Sequence, residues 1–404
     1  MNCNKSPHLF IFILLLILST PAAFAQDFGL TLRQLPLFRN GDTGGSSFEY
    51  TGTVIPWFAA PLGEQGDLYF SGGFSMERAD DEWQRIPEIY RFEMRYRFKS
   101  GLRMAAGRSF YQEASNTILS GLFDGLSAEY SLGKTKLSAR AFYTGLLYKK
   151  DAYITMSDSD YADYHDRDVY FSSRRVLFSL NWGIPALFNT DKFLKLGMIG
   201  QFDLNDSSNT VNSQYGEATL SLPFLDDFNA DLGAVLGLLE KEPGDNPLEF
   251  CFALRADLVW LPPGPANDRF FLGASFSSGA WNDQAQAFLP ISTIAQGRIL
   301  RPKLSGIALI QGSYTRRLHK AISAEGSAAY FFRTDTTTYR DTELDTDSRS
   351  PLLGGELAAN LIWAPVSDIA FTLGGGAFLP QTGKAFASGA AVKWRVSLET
   401  LLSF

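Results

Sequence analysis

Tyr90-Arg91-Phe92-Glu93-Met94-Arg95-Tyr96-Arg97-Phe98 alternates without a break: every even position is aromatic or apolar and every odd one is charged. A helix scatters four such charges around its circumference, whereas a strand sets them all on one face. The same rhythm returns downstream. Leu248, Phe250, Phe252, Leu254, Ala256, Leu258 and Trp260 share one face, and Glu249, Cys251, Ala253, Arg255, Asp257 and Val259 the other. At the C-terminus Val392, Trp394, Val396, Leu398, Leu402 and Phe404 oppose Lys393, Arg395, Ser397 and Glu399. Such runs are longer than the ~5–6 residues usual in soluble strands and match the ~9–11 that a tilted strand needs to cross hydrocarbon. A soluble β-sandwich or β-helix explains the alternation but not the length.

Carried along the chain, the alternation predicts strands near 28–37, 46–57, 67–77, 87–98, 102–111, 121–131, 136–148, 173–183, 192–203, 213–223, 229–240, 248–260, 269–280, 303–316, 320–333, 352–364, 368–378 and 386–404. The expected fold is all-β: a closed antiparallel transmembrane β-barrel of about 16–18 strands, built as one domain over 26–404. Even strands are followed by short connections such as Lys99-Ser100-Gly101, Leu225-Asp226-Asp227 and Leu318-His319. Many odd ones are followed by longer polar stretches, at 78–86, 149–172, 204–212, 281–302 and 334–351. Short turns on one rim and long loops on the other mark an outer-membrane barrel, the short turns being periplasmic. Trp57, Tyr148, Trp182, Trp260 and Trp363 fall at predicted strand ends, where an interfacial aromatic girdle belongs.

The composition agrees. Among 404 residues Phe, at 33, outnumbers Trp and Tyr, at 7 and 16, together. Residues 1–25 read as a cleaved signal peptide: Lys5, then the apolar run Leu9 to Leu18, then Ala23-Phe24-Ala25 before Gln26. Removal takes Lys5 and leaves 35 basic against 43 acidic residues, a net charge of −8. Cys251 stays as the single cysteine of the mature chain and has no intramolecular partner for a disulfide. No later segment reaches the ~18 apolar residues of a membrane helix.

A signal peptide, a barrel-like body and a last strand ending Leu401-Leu402-Ser403-Phe404 resemble bacterial outer-membrane proteins. The resemblance implies residence in the outer membrane of a didermic bacterium and recognition of Phe404 by the barrel-assembly machinery. More narrowly, Gly107-Arg108-Ser109, Gly121-Leu122-Phe123-Asp124-Gly125-Leu126 and Tyr143-Thr144-Gly145 are similar to the early strands of alginate-export-type 18-stranded porins. That likeness spans about 40 residues and transfers no substrate.

Parity sends Arg91, Arg95, Arg97, Arg103, Arg140, Arg175 and Lys195 to the lumen from the first half, with Glu93 and Glu129. The second half sends Glu217, Asp231, Glu249, Asp257, Glu325 and Glu356, with Arg255 and Arg269, and the closing strand adds Lys393 and Arg395. A basic wall would then face a more acidic one, with Arg91, Arg95, Arg97, Arg140, Lys393 and Arg395 contacting solute and favouring anions. The alternative is cross-strand pairing that neutralises these charges. Loop 281–302 is a candidate constriction, since Ala287-Phe288-Leu289-Pro290-Ile291 is too apolar for a surface loop. Loop 149–172, with six aspartates, reads as a solvated acidic loop and lacks the spacing of a calcium-binding one.

His165 and His319 are the only histidines after residue 25, and neither is expected beside a nucleophile, so the chain reads as a non-enzyme. Neither a cofactor, nor a metal, nor a nucleic-acid partner is expected; outer-membrane lipid, the assembly machinery and small hydrophilic solutes are. The reading is a passive, porin-like channel for small hydrophilic or anionic solutes. Its rivals are a surface-display barrel presenting acidic loops and a soluble secreted β-protein. Oligomeric state stays open.

Overall fold

The structure is a computed structural model. It describes residues 27–40, 45–79, 82–166, 168–185, 187, 192–205, 211–241, 248–281 and 285–404. The signal segment and Gln26 lie outside them.

Eighteen antiparallel strands follow in chain order: β1 Asp27–Asn40, β2 Ser46–Leu62, β3 Gly66–Ala79, β4 Glu82–Arg97, β5 Arg103–Gln112, β6 Ser120–Leu132, β7 Thr135–Tyr143, β8 Arg175–Ile184, β9 Phe193–Asp203, β10 Val211–Phe224, β11 Phe228–Lys241, β12 Glu249–Trp260, β13 Arg269–Ser277, β14 Ile307–His319, β15 Ile322–Arg333, β16 Leu352–Val366, β17 Ile369–Pro380 and β18 Lys393–Ser403. Each pairs with its sequence neighbours, and β1 also pairs with β18, from Thr31 opposite Ser403 to Arg39 opposite Arg395. The sheet is therefore a closed barrel without a free edge. One helix, α1 (Asp158–His165), lies in the loop after β7.

Every predicted strand is present, and the differences lie at their ends. β3 and β4 run on through the predicted 78–86 loop, pairing Arg78 with Trp83 and Ala79 with Glu82. β7 stops at Tyr143, not 148, and β18 starts at Lys393, not 386. His319 ends β14 and pairs with Ile322, so it belongs to a strand and not to the turn.

The outer surface is apolar. Phe92, Met94, Leu126, Phe178, Met198, Leu236, Leu254, Leu272, Ile310, Leu373 and Leu398 all stand exposed on it. Near the short-turn rim Phe224, Phe228, Trp260, Phe270 and Tyr314 form a chain of stacked rings, with centroids 4.6–5.6 Å apart. Each such contact adds about 0.5–1.5 kcal/mol beyond area burial. Trp182, Trp260 and Trp363 face outward as a girdle requires. Trp57 and Tyr148 do not: Trp57 shares the inner parity of buried Thr53 and stacks on Tyr69, and Tyr148 is buried in the loop after β7.

Three loops from the opposite rim turn into the barrel. Ser292 N–H donates to Ile118 O at 2.9 Å, Thr155 N–H to Ile291 O at 2.8 Å and Thr293 N–H to Tyr153 O at 2.7 Å. Loops 113–119, 144–174 and 278–306 are thus laced across the lumen. Phe288, fully buried, packs with Ile118, Phe123, Phe142, Tyr215, Val235, Leu239 and Cys251. Burying one such side chain is worth about 1.5–3 kcal/mol, which is why an apolar loop prefers the inside of the barrel to the water above it.

Candidate functional site: a charge-lined lumen

On the short-turn side of these loops lies an open cavity of about 1120 Å³. Arg91, Arg95 and Arg97 from β4, Arg103 from β5 and Arg140 from β7 line it, with Asp67, Glu93 and Glu129. The alternation along β4 sends Phe92, Met94 and Tyr96 outward and the charges inward. Tyr90 breaks the rule. A register shift opposite Ser71/Gly72 puts Tyr90 and Arg91 on the same inner face, where the Tyr90 hydroxyl meets Ser75 Oγ at 2.7 Å.

Most of the positive charge here is balanced. Arg91 donates to Glu93 (2.5 Å), Arg95 to Asp67 (2.8 Å) and Arg140 to Glu129 (3.2 Å). Arg91 also lies over the Tyr69 ring and Arg140 over Tyr111, which fixes their guanidinium planes. Arg97 and Arg103 differ. They sit directly opposite each other on β4 and β5, so their Cα atoms are about 4.5–5.5 Å apart. No ion pair is formed by either among the described residues. On its other side Arg103 faces Glu129, which is engaged by Arg140, so two like charges stand side by side in the wall.

Lys393 and Arg395 line a second cavity of about 400 Å³ on the long-loop side, together with Arg39, Arg301, Glu49 and Glu343. Lys393 is engaged by Asp341, and Glu343 lies 4.0 Å away. Beside the crossing, Tyr153 of loop 144–174 lies within electrostatic reach of Arg301 and Arg33, and Asp151 within that of Glu77, Glu88 and Lys150. Burial raises the Asp151 carboxyl to about 6, reinforced by the Glu77 and Glu88 carboxylates and opposed by Lys150.

The basic-versus-acidic division expected between the halves is not what the fold builds. Carboxylates of the second half are used to hold loops. Glu356 accepts backbone N–H groups of Arg298, Ile299 and Leu300 at 2.6–3.2 Å, and Glu325 pairs with Arg298. Glu217 accepts Ser115 N–H, and Asp257 pairs with Arg255 at 2.7 Å. Arg175, nearly fully buried, is bound to Asp160 at 2.5 Å with Asp203 at 3.8 Å, and so anchors α1 instead of lining the bore. The aspartate-rich loop is solvated only in part: Asp160 is buried, whereas Asp163, Asp166 and Asp168 stand exposed. His165 stacks against Tyr161 and Tyr164 on α1. Among the described residues no group of His, Cys, Asp and Glu is arranged to hold a metal ion.

Parity misses Arg298 and Arg301, because they lie in a loop where no alternation applies. It also misses Arg108, which alternation places on the outer face with Met104 and Phe110.

A closed 18-strand antiparallel barrel, apolar outside and lined with arginines within, has the fold of the outer-membrane porins. Solved structures agree on that fold. OccK2 (OpdF) of Pseudomonas aeruginosa matches at a TM-score of 0.62 and 14% identity, over 94% of this chain and 98% of that one. OccK2 in complex with glucuronate gives 0.61 and 13% over 94% and 98%. A BenF-like porin from Pseudomonas fluorescens Pf-5 gives 0.61 and 12% over 94% and 99%. No family model matches the chain. No curated protein matches it.

Proposed function

We propose that this chain is an outer-membrane channel that passes small hydrophilic solutes, with a preference for anions. The observation that carries the reading is the unpaired Arg97–Arg103 couple inside a water-accessible cavity of about 1120 Å³. A closed sheet is the form in which strands satisfy their backbone in lipid, and the apolar exterior supplies the matching surface. Cationic groups lining a bore lower the barrier for anions. The neighbour OccK2 is described in complex with glucuronate, and a sugar acid of that kind is a fitting test solute for the cavity here.

Residues 1–25 serve as the export signal in this reading, and the mature barrel starts at Gln26. Phe404, 70% exposed, is free to be read by the assembly machinery, while its backbone pairs with Leu30 at 2.9 and 3.1 Å. The channel reading is preferred to display because parts of loops 144–174 and 278–306 are engaged with each other across the barrel, Thr155 N–H donating to Ile291 O and Thr293 N–H to Tyr153 O.

Planar-bilayer recording tests the proposal. Steady single-channel steps are expected, with a reversal potential in a KCl gradient on the chloride side, and sugar acids should reduce the current more than neutral sugars. A sealed barrel or a cation preference would overturn it.

A further inference from the structure

The barrel wall is not laddered throughout. β4 and β5 pair from Arg97 opposite Arg103 up to Phe92 opposite Arg108, and no pairing continues above that point. The unbroken register would have matched Arg91 with Ser109 and Glu88 with Gln112. Gly107, at φ +118°, sits at the break, and a Cβ there would lie 2.0 Å from Phe92 O.

Side chains close the breach. Arg108 and Asp124 are directly opposite on β5 and β6 and share the parity of the outward-facing Phe110 and Leu126, 62% and 57% exposed. An ion pair is not tolerated bare on that face, and it is not bare. The Arg108 guanidinium donates to Asp124 at 2.8 and 2.9 Å, to Ile89 O at 2.7 Å, to Leu146 O at 2.9 Å and to Glu88. Glu88 in turn accepts Tyr148 N–H at 2.6 Å, and the Tyr170 hydroxyl donates to Pro87 O. Leu146, Tyr148 and Tyr170 all belong to loop 144–174. The cluster that fills the gap is therefore also the root of the loop that crosses the lumen.

We infer that Arg108, with Glu88 and Asp124, is a positioning latch that sets the bore: it fastens loop 144–174 into the β4–β5 breach and so holds Tyr153 and Thr155 against Thr293 and Ile291 of loop 278–306 across the lumen. None of the three latch side chains needs to touch solute. The inference rests on the channel reading for its consequence but not for its geometry, and the test separates the two.

Ala152, on the same loop and about 1% exposed, is replaced by Cys in an otherwise intact chain, and labelling by a charged maleimide is timed in the folded, heat-modifiable barrel. Labelling should be slow with Arg108 present and at least ten-fold faster in Arg108→Gln. Arg108→Lys, which keeps the charge but loses the fork, should fall between them. In bilayers Arg108→Gln should at least double the conductance, since the crossing of loops 144–174 and 278–306 then loosens. Unchanged labelling in Arg108→Gln overturns the latch whether or not the barrel conducts. If Arg108→Gln fails to fold, Tyr170→Phe is timed instead: a several-fold acceleration supports the latch and an unchanged rate overturns it. A wild-type barrel that labels as expected but never conducts would sink the channel reading alone.

Discussion

Arg97 and Arg103 illustrate how little a charge count says about a lumen. The cavity is lined by five arginines and Lys99 with four carboxylates, of Glu64, Asp67, Glu93 and Glu129, and Arg91, Arg95 and Arg140 are each matched by a carboxylate within 3.2 Å. A neutralised guanidinium changes the field along the bore little, whereas an unpaired one acts at full strength. Arg97→Gln should therefore shift the reversal potential toward the cation value by several times more than Arg91→Gln, and Arg97→Glu with Arg103→Glu should reverse the preference. Equal effects from Arg91→Gln and Arg97→Gln would remove the distinction. Glu113 offers a pH-dependent counterpart. Burial, aided by Glu217, raises its carboxyl to about 7, against the backbone N–H groups of Ile118 and Thr117 and the Ser115 hydroxyl, which favour the charged form. Between about 4.5 and 7 the folded loop keeps a proton that the unfolded chain has lost. Its contribution to stability is thus complete below that window and is lost as pH rises through it. Hydrogen-exchange protection at residues 115–118 should fall between pH 5 and 8, and Glu113→Gln should flatten the dependence.

Loop 278–306 shows at the scale of an element why a connection can be as well packed as a strand. Phe288 fills the space beneath the crossing, Glu356 gathers three successive N–H groups, and Gly297 lets the chain turn at φ +77°, where a Cβ would meet Phe331 at 2.5 Å and Glu356 at 2.9 Å. Phe288→Ala should weaken this docking by about 3–5 kcal/mol, the range of large-to-small core changes. The expected readout is a noisy channel with excursions to higher conductance, in a barrel that still shifts on heating. Gly297→Ala should behave alike, because the added methyl strikes the Glu356 anchor. A quiet channel of wild-type size in both variants would show that the loop does not limit flow.

The whole molecule is governed by closure. Leu236 lies well inside β11 and faces outward, so Leu236→Arg should destabilise the inserted barrel by about 2–4 kcal/mol. Urea titration in lipid vesicles measures it, and a cost near zero would mean that this face does not meet hydrocarbon. At this scale the sequence was legible to an unusual degree. Period-two alternation gave all eighteen strands, because one face must be apolar and the other polar along every strand that separates oil from water. The same rule carried Arg91, Arg95, Arg97 and Arg140 to the lumen, and the apolar run at Phe288 announced an inward loop. Alternation is a local signal, however, and has no information about where it is interrupted or what lies across the bore. Alternation alone would put Arg108 on the lipid face, because the loop contacts that cover it and its Glu88 partner join residues 38 to 83 apart in the chain. It could not tell Arg95, matched by Asp67 on the next strand, from Arg97, matched by nothing, since that depends on register. Strand identity and facing were thus fixed by the chain's own period; the pairing of charges, the breach in the wall and the occlusion of the lumen were decided by which side chains closure brought together.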